Sequence, residues 1–336
     1  MTESRTRRST IRLILGILIS AVSLTALILL IDVQQVLDAL RTVRLEILLV
    51  GGLLVIASLI TRAYAWRVIL QGRISLSKSF LIINAGYFVN TLLPFRLGEI
   101  SRAFLLMPSG LPFWEGLPTI VLERMIDVLF ALVLLFIGLP YALNFQADTG
   151  YIYLMTGAVV LGLAVLALLV YKRKDILRWL ENTRLVSSQV RTRLIDFIRQ
   201  ILSSMQVLTH PLRILQVFLG MALSWGIALV VQFLLLRSFI PEARLVWAVF
   251  ALGAVAIGVS VPSSPGNIGL FEASITLALS AFGVDQSLAF TYALTSHMLN
   301  LAISTSFGAY GLVREGVGLR EVWQLRNQPD IREEQR

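Results

Sequence analysis

Long apolar runs alternate with short polar interruptions along this 336-residue chain. Six runs, near 11–31, 46–70, 117–141, 151–171, 213–237 and 286–313, approach or exceed the roughly 20 residues a helix needs to cross a bilayer. Four shorter apolar stretches lie near 79–93, 97–107, 245–260 and 268–283. At about 1.5 Å per residue each covers only roughly 16–25 Å, against about 30 Å of hydrocarbon. The short stretches form two pairs, each joined by a turn of helix breakers: "NTLLPFRLGEISRAF" (Asn90 to Phe104) and "SVPSSPGNIGLFEAS" (Ser260 to Ser274). Pro94 and Gly98 punctuate the first turn, and Pro265, Gly266 and Gly269 the second. The pairs are either helical hairpins that enter the membrane and return to the same side, or ordinary short spans with tight loops.

Composition supports the membrane reading. Hydrophobic residues make up 57% of the chain, above the roughly 45–50% of a soluble domain, and mean hydropathy is +0.80. The expected fold class is an all-α polytopic membrane protein. The net charge of +9 follows from where the basic residues fall. Arg5, Arg7, Arg8 and Arg12 precede the first run, and Arg67, Arg73 and Lys78 follow the second. Residues 142–150 contain no Lys or Arg, whereas residues 172–199 and the tail beyond Arg314 are strongly basic. The positive-inside bias then puts both termini in the cytoplasm, and no nucleic-acid partner is needed to explain the charge. These assignments agree only if the first hairpin enters from the cytoplasm and the second from outside. The order span, span, hairpin, span then recurs with opposite orientation. The prediction is six transmembrane helices plus two re-entrant hairpins in an inverted-topology repeat, about 11–141 and 151–313, a plan common in transporters.

The domain expectation is one membrane domain over 1–315, with an amphipathic cytoplasmic segment at 175–208 and a polar cytoplasmic tail at 316–336. In the amphipathic segment Val190, Leu194, Ile198, Ile201 and Met205 recur at helical spacing with arginines between them. The basic N-terminus before 11–31 reads as a retained signal anchor, because no small-x-small cleavage site ends that run. The expected location is the plasma (inner) membrane.

Charges inside apolar runs mark the candidate chemistry. Arg96, Glu99 and Arg102 flank the first turn, and Glu99 and Arg102 share a helix face. Each charge at mid-bilayer costs about 2.5–3.5 kcal/mol, so they face inward, pair, or meet water. Two guanidiniums at a broken helix suit an anionic head group, since Arg binds phosphate as a fork; a self-satisfied ion pair is the structural alternative. Glu123, Arg124 and Asp127 meet on one side of the third span. They position those arginines, carry a coupling proton, or snorkel to the nearby boundary. In the second turn, prolines stop the incoming helix, glycines allow turn geometry, and Asn267 caps the returning helix whose first turns carry Glu272. Glu272 either touches substrate or completes the cap. His297 and Asn300 either line a cavity or form a buried structural pair. There are no cysteines, no phosphate-binding G-x-x-x-x-G-K-[ST] loop and no zinc-ligand set. No cofactor, metal or catalytic residue is expected, and the chain is not expected to be an enzyme.

With these residues in view, the chain resembles the flippase-like membrane domain of lysylphosphatidylglycerol synthases. The likeness is carried by "N-x-x-LP-x-RLGE-x-x-RA" from Asn90 to Ala103, "ER-x-x-D" from Glu123 to Asp127 and "PG-x-x-G-x-FE" from Pro265 to Glu272. The resemblance implies a free-standing member without the synthase domain, since no aminoacyl-transferase is expected after Glu315. It implies a flippase for an anionic phospholipid or a polyprenyl-phosphate-linked lipid. Partners would be that lipid and, by a looser analogy, a lipid-modifying or glycosyltransferase enzyme. Alternative readings are a membrane enzyme or enzyme subunit acting on lipid-linked sugars, and a scaffold for a lipid-modifying enzyme. On the leading reading the substrate-binding set is Asn90, Arg96, Glu99, Arg102, Glu123, Arg124, Asp127 and Glu272, with Glu99 and Glu272 in one central cavity.

Overall fold

The computed structural model describes residues 34, 38, 41, 43–93, 96–144, 149–172, 175, 210–261 and 264–314. Every regular element among them is helical. The first apolar run 11–31, nearly all of segment 175–208, the tail 316–336 and Pro94 lie outside the described residues.

Four helices make the first half: α1 (Leu45–Ile69), α2 (Leu76–Leu92), α3 (Leu97–Leu105) and α4 (Phe113–Ala142). Helix α5 (Thr149–Tyr171) follows, and then α6 (Pro211–Phe239), α7 (Leu245–Gly258), α8 (Leu270–Ser280) and α9 (Gln286–Arg314). The short helices coincide with the four short apolar stretches. Their ends are chemically marked. Ser75 accepts a hydrogen bond from the Lys78 N–H at the start of α2 (3.2 Å), and Asp285 accepts from the N–H groups of Ser287 and Leu288 at the start of α9. Helices α1 and α6 are each long and apolar enough to cross a membrane.

The packing has an exchange symmetry. α1 lies on α6, α2 on α9, and α4 on α7. α2 packs on its successor α3, and α7 on α8. Swapping α1–α4 for α6–α9 leaves this set of contacts unchanged. Each short pair closes at its base. Arg73, ahead of α2, pairs with Glu115 at the start of α4 (2.5 Å) and donates to the Gly110 carbonyl. In the other pair Trp247 stacks on Phe282 with ring centroids 5.5 Å apart.

Two apolar clusters fill the halves. Trp66, Ile82, Leu106, Ile120 and Ile126 centre the first, and Leu235, Ala248, Ile275, Leu279 and Tyr292 the second. Large apolar residues such as Leu49, Leu53, Leu219 and Leu223 point outward on α1 and α6. An outward apolar surface is what a helix presents to lipid, and the internal packing between helices then depends on close backbone approach. Gly98 supplies such an approach, which corrects its expected place in the hairpin turn. It is the second residue of α3, and a Cβ there would lie 1.8 Å from the Gly86 carbonyl oxygen of α2. Gly253 against α4 and Gly308 against α2 make similarly close crossings, with a Cβ 2.6 and 2.3 Å from backbone atoms.

Candidate functional site

Three helices of the first half carry one charged cluster. α1 contributes Arg62, α3 contributes Glu99 and Arg102, and α4 contributes Glu123, Arg124 and Asp127. Arg96 joins them from the turn that caps α3. Helical spacing puts Glu123 and Asp127 on the same side of α4, with Arg124 beside them. Glu123 is fully buried and meets Arg62 at 3.0 Å, Arg102 at 2.5 Å and Arg124 at 2.8 Å. Asp127 receives a two-pronged Arg62 fork at 2.8 Å on each oxygen, Arg124 at 2.7 Å and the Trp225 indole N–H of α6 at 3.0 Å. Glu99 sits 3.5 Å from Arg96 and 3.7 Å from Arg124.

Four guanidiniums therefore face three carboxylates, one positive charge in excess. Burying any of them unpaired would cost several kcal/mol, and mutual pairing offsets much of that cost. The geometry is tightest at the back of the cluster. Arg102 is 1% exposed, and its guanidinium lies 4.2 Å above the Trp66 ring. Trp66 in turn donates its indole N–H to Thr119 (3.1 Å).

The front of the cluster opens on a cavity of about 320 Å³. Arg62, Arg96 and Arg124 reach its wall, against a single carboxylate among the described residues, Glu99. Asn90 also lies on the wall, and its side-chain carbonyl accepts the Gly98 N–H at 2.7 Å, pinning the start of α3 to α2. The opposite half contributes Gly266 and Asn267 from the second turn, with Phe271 of α8 and His297 and Asn300 of α9.

The two turns meet at this cavity. Arg96 is held in the left-handed region (φ 54°, ψ 37°), a conformation that costs a non-glycine residue about 1–3 kcal/mol and recurs at functional sites. Its guanidinium donates to the Val259 carbonyl at the end of α7, so the first turn is tied to the second pair. The Pro265–Asn267 turn packs on α2, and Gly266 takes a φ of 68° that favours glycine. Gly269, at φ 87°, caps α8, and its N–H is accepted by Glu272 at 2.7 Å. The other Glu272 oxygen meets His297 Nδ1 at 2.6 Å, and Phe271 stacks on that imidazole at 4.1 Å.

Of the residues singled out from sequence, Asn90, Arg96, Glu99, Arg124 and Gly266 lie on the wall. Arg102, Glu123 and Asp127 form the layer behind it, and Glu272 touches the cavity through His297. Glu99 lines the cavity, whereas Glu272 stands behind its wall, against His297. His297 and Asn300 line it as well. Sequence reading passed over Arg62, which joins Glu123 to Asp127 from another helix. Its signal was present: an arginine in the middle of a long apolar run is costly enough to need a reason.

The lysylphosphatidylglycerol synthase TM region family matches residues 13–308. A UPF0104 membrane protein of Methanocaldococcus jannaschii is 23% identical over 223 residues, covering 66% of this chain and 92% of the relative. No solved structure matches. The chain belongs to the lysylphosphatidylglycerol synthase TM region family and is an α-helical membrane protein.

Proposed function

We propose that this membrane protein moves an anionic phospholipid, or a polyprenyl-phosphate-linked lipid, between leaflets, holding its phosphate in the cavity between the two turns. One observation carries the reading: among the described residues, three guanidiniums stand against one carboxylate on the wall of a cavity that both halves line. Arginine forks match phosphate oxygens bidentately. The buried carboxylates Glu123 and Asp127 keep Arg62 and Arg124 aimed and partly neutralised, which tempers affinity so that a head group can leave again. Among the described residues Arg96 is held by Glu99 and by the Val259 carbonyl, and it is the arginine best able to exchange its partner for a phosphate.

The topology that goes with this function is six spans and two re-entrant hairpins of opposite entry, with both termini cytoplasmic. The exchange symmetry of the packing and the closed bases of both short pairs support it. Discontinuous helices at corresponding positions of two repeats commonly bracket a transporter's binding site.

Purified protein in liposomes containing fluorescent phosphatidylglycerol provides the test, with the outer-leaflet label quenched chemically over time. The native chain should expose inner-leaflet label without changing the mass of any lipid, and Arg96→Gln and Arg124→Gln should slow this by tenfold or more. Equal rates for the native chain and both variants would refute the anion site. A lipid of altered mass would point to an enzyme.

A further inference from the structure

A second, smaller cavity of about 160 Å³ adjoins the charged one. Val55 and Leu59 of α1, Val231 of α6, Leu252 and Val255 of α7 and Phe271 of α8 give it a largely apolar wall. All but Phe271 are buried members of the second apolar cluster, and Phe271 packs against it. The polar side chains of the wall bond within the protein. The Ser58 hydroxyl meets the Ser224 carbonyl and hydroxyl at 3.0 and 3.1 Å. The Gln232 side-chain oxygen accepts from Tyr292 and Ser296 at 2.9 and 2.6 Å, and the Asn300 amide donates to the Ser296 carbonyl at 2.9 Å. A trapped water needs two to four polar partners, whereas a dry apolar cavity of about 150 Å³ takes a six-carbon ring. This space therefore suits hydrocarbon. Val55, Ser58, Leu59, Phe271 and Asn300 line both cavities, so no more than one layer of side chains parts the two.

One stripe of α1 joins the apolar cavity to the guanidiniums. Val55, Leu59 and Arg62 follow one another at spacings of four and three residues, which keeps them on one helix face. At 1.5 Å per residue, Arg62 stands roughly 10 Å along the axis from Val55. A molecule lying along this stripe meets hydrocarbon at one end and a guanidinium at the other, the layout of an amphiphile. We infer that the smaller cavity takes about six carbons of one hydrocarbon chain of the same lipid whose phosphate lies at the arginines. This rests on the reading of the charged cavity as a lipid head-group site, and it adds that one chain is drawn in between the two halves with the head group. Six carbons fill the space, so a second chain on the same lipid stays outside it.

Alkyl phosphates from methyl to hexyl are the probes: they keep the anion constant and lengthen only the chain. Binding to the full-length protein in phosphatidylcholine nanodiscs is measured by equilibrium dialysis, with empty nanodiscs as the baseline. Each methylene removed from water is worth about fourfold in affinity. The first carbons span the junction between the cavities, so hexyl phosphate should bind the native chain at least about tenfold tighter than methyl phosphate, the gain from roughly two buried methylenes. Ala228 also lines the smaller cavity, and leucine suits a helix as well as alanine does to within a few tenths of a kcal/mol. Ala228→Leu fills the space and should cut the hexyl-over-methyl gain to about threefold or less while leaving methyl phosphate binding unchanged. Val255→Leu fills it from the opposite helix and carries the test if Ala228→Leu fails to fold. Equal binding of methyl and hexyl phosphate by the native chain overturns this inference alone, as does a full chain-length gain in the folded variants. If no alkyl phosphate binds, the anion-site reading and this inference fall together.

Discussion

Arg96 caps α3 and Arg102 lies six residues further along it, and replacing each with glutamine should have opposite consequences. Arg102→Gln removes a guanidinium that is 1% exposed, 2.5 Å from the fully buried Glu123 and 4.2 Å above Trp66. Breaking a buried ion pair by deleting one partner costs about 3–5 kcal/mol. Glu123 keeps Arg62 and Arg124 at 3.0 and 2.8 Å, so the lower end applies, roughly 3 kcal/mol. The lost cation–π contact adds about 1 kcal/mol. At about 2–4 °C per kcal/mol for a large domain, the melting temperature should fall by on the order of 10 °C. Arg96 is about one-quarter exposed and its carboxylate contact is long, 3.5 Å to Glu99, worth at most about 1 kcal/mol. Even with the bond to the Val259 carbonyl lost as well, about 1.5–3 kcal/mol more, Arg96→Gln should melt no lower than Arg102→Gln and yet lose lipid movement. Thermal unfolding followed by tryptophan fluorescence in detergent, paired with the liposome assay on the same preparations, measures both. An Arg102→Gln variant that melts like the native chain would refute the view that Arg102 belongs to the framework behind the cavity.

Glycine substitutions should separate close crossings from open helix surface. Gly98→Ala would drive a Cβ into the Gly86 carbonyl and should destabilise by about 3 kcal/mol or more. Gly226→Ala on α6 meets nothing within 4 Å and should be neutral or stabilise by up to about 1 kcal/mol, as melting curves will show. Single cysteines in this cysteine-free chain test the hairpins: Ser75 and Ser109 should react with an impermeant maleimide from one side of the membrane, and Glu242 and Asp285 from the other. Labelling of Ser75 and Ser109 from opposite faces would refute the first hairpin and make α2 and α3 together one broken crossing.

Much of this protein was legible in its sequence because a bilayer imposes a simple rule on composition. Apolar runs had to be helices, since unpaired backbone has no partner in hydrocarbon. The lengths of α1, α4, α6 and α9, the brevity of α2, α3, α7 and α8, and the breakers between the short pairs follow from run length and from proline and glycine. The charges that matter also stood out, because charge is expensive among apolar neighbours: Arg96, Glu99, Arg102, Glu123, Arg124 and Asp127 form one cluster. What spacing along a helix cannot give is which face of which other helix lies opposite. The tertiary structure alone decided that Arg62 of α1 joins Glu123 to Asp127 of α4, 61 and 65 residues away. It decided that Arg102 turns back onto Trp66 while Arg124, expected in the same role, reaches the cavity. It made Gly98 a crossing point, since the approach of the Gly86 backbone and of the Asn90 side chain leaves no room for a Cβ there. It also joined Glu272 to His297, 25 residues apart on successive helices, and so turned an expected helix cap into the support of a cavity-facing ring. These outcomes depend on packing between helices, where the free energy lies in contacts between residues distant in sequence and local periodicity carries no record of the partner.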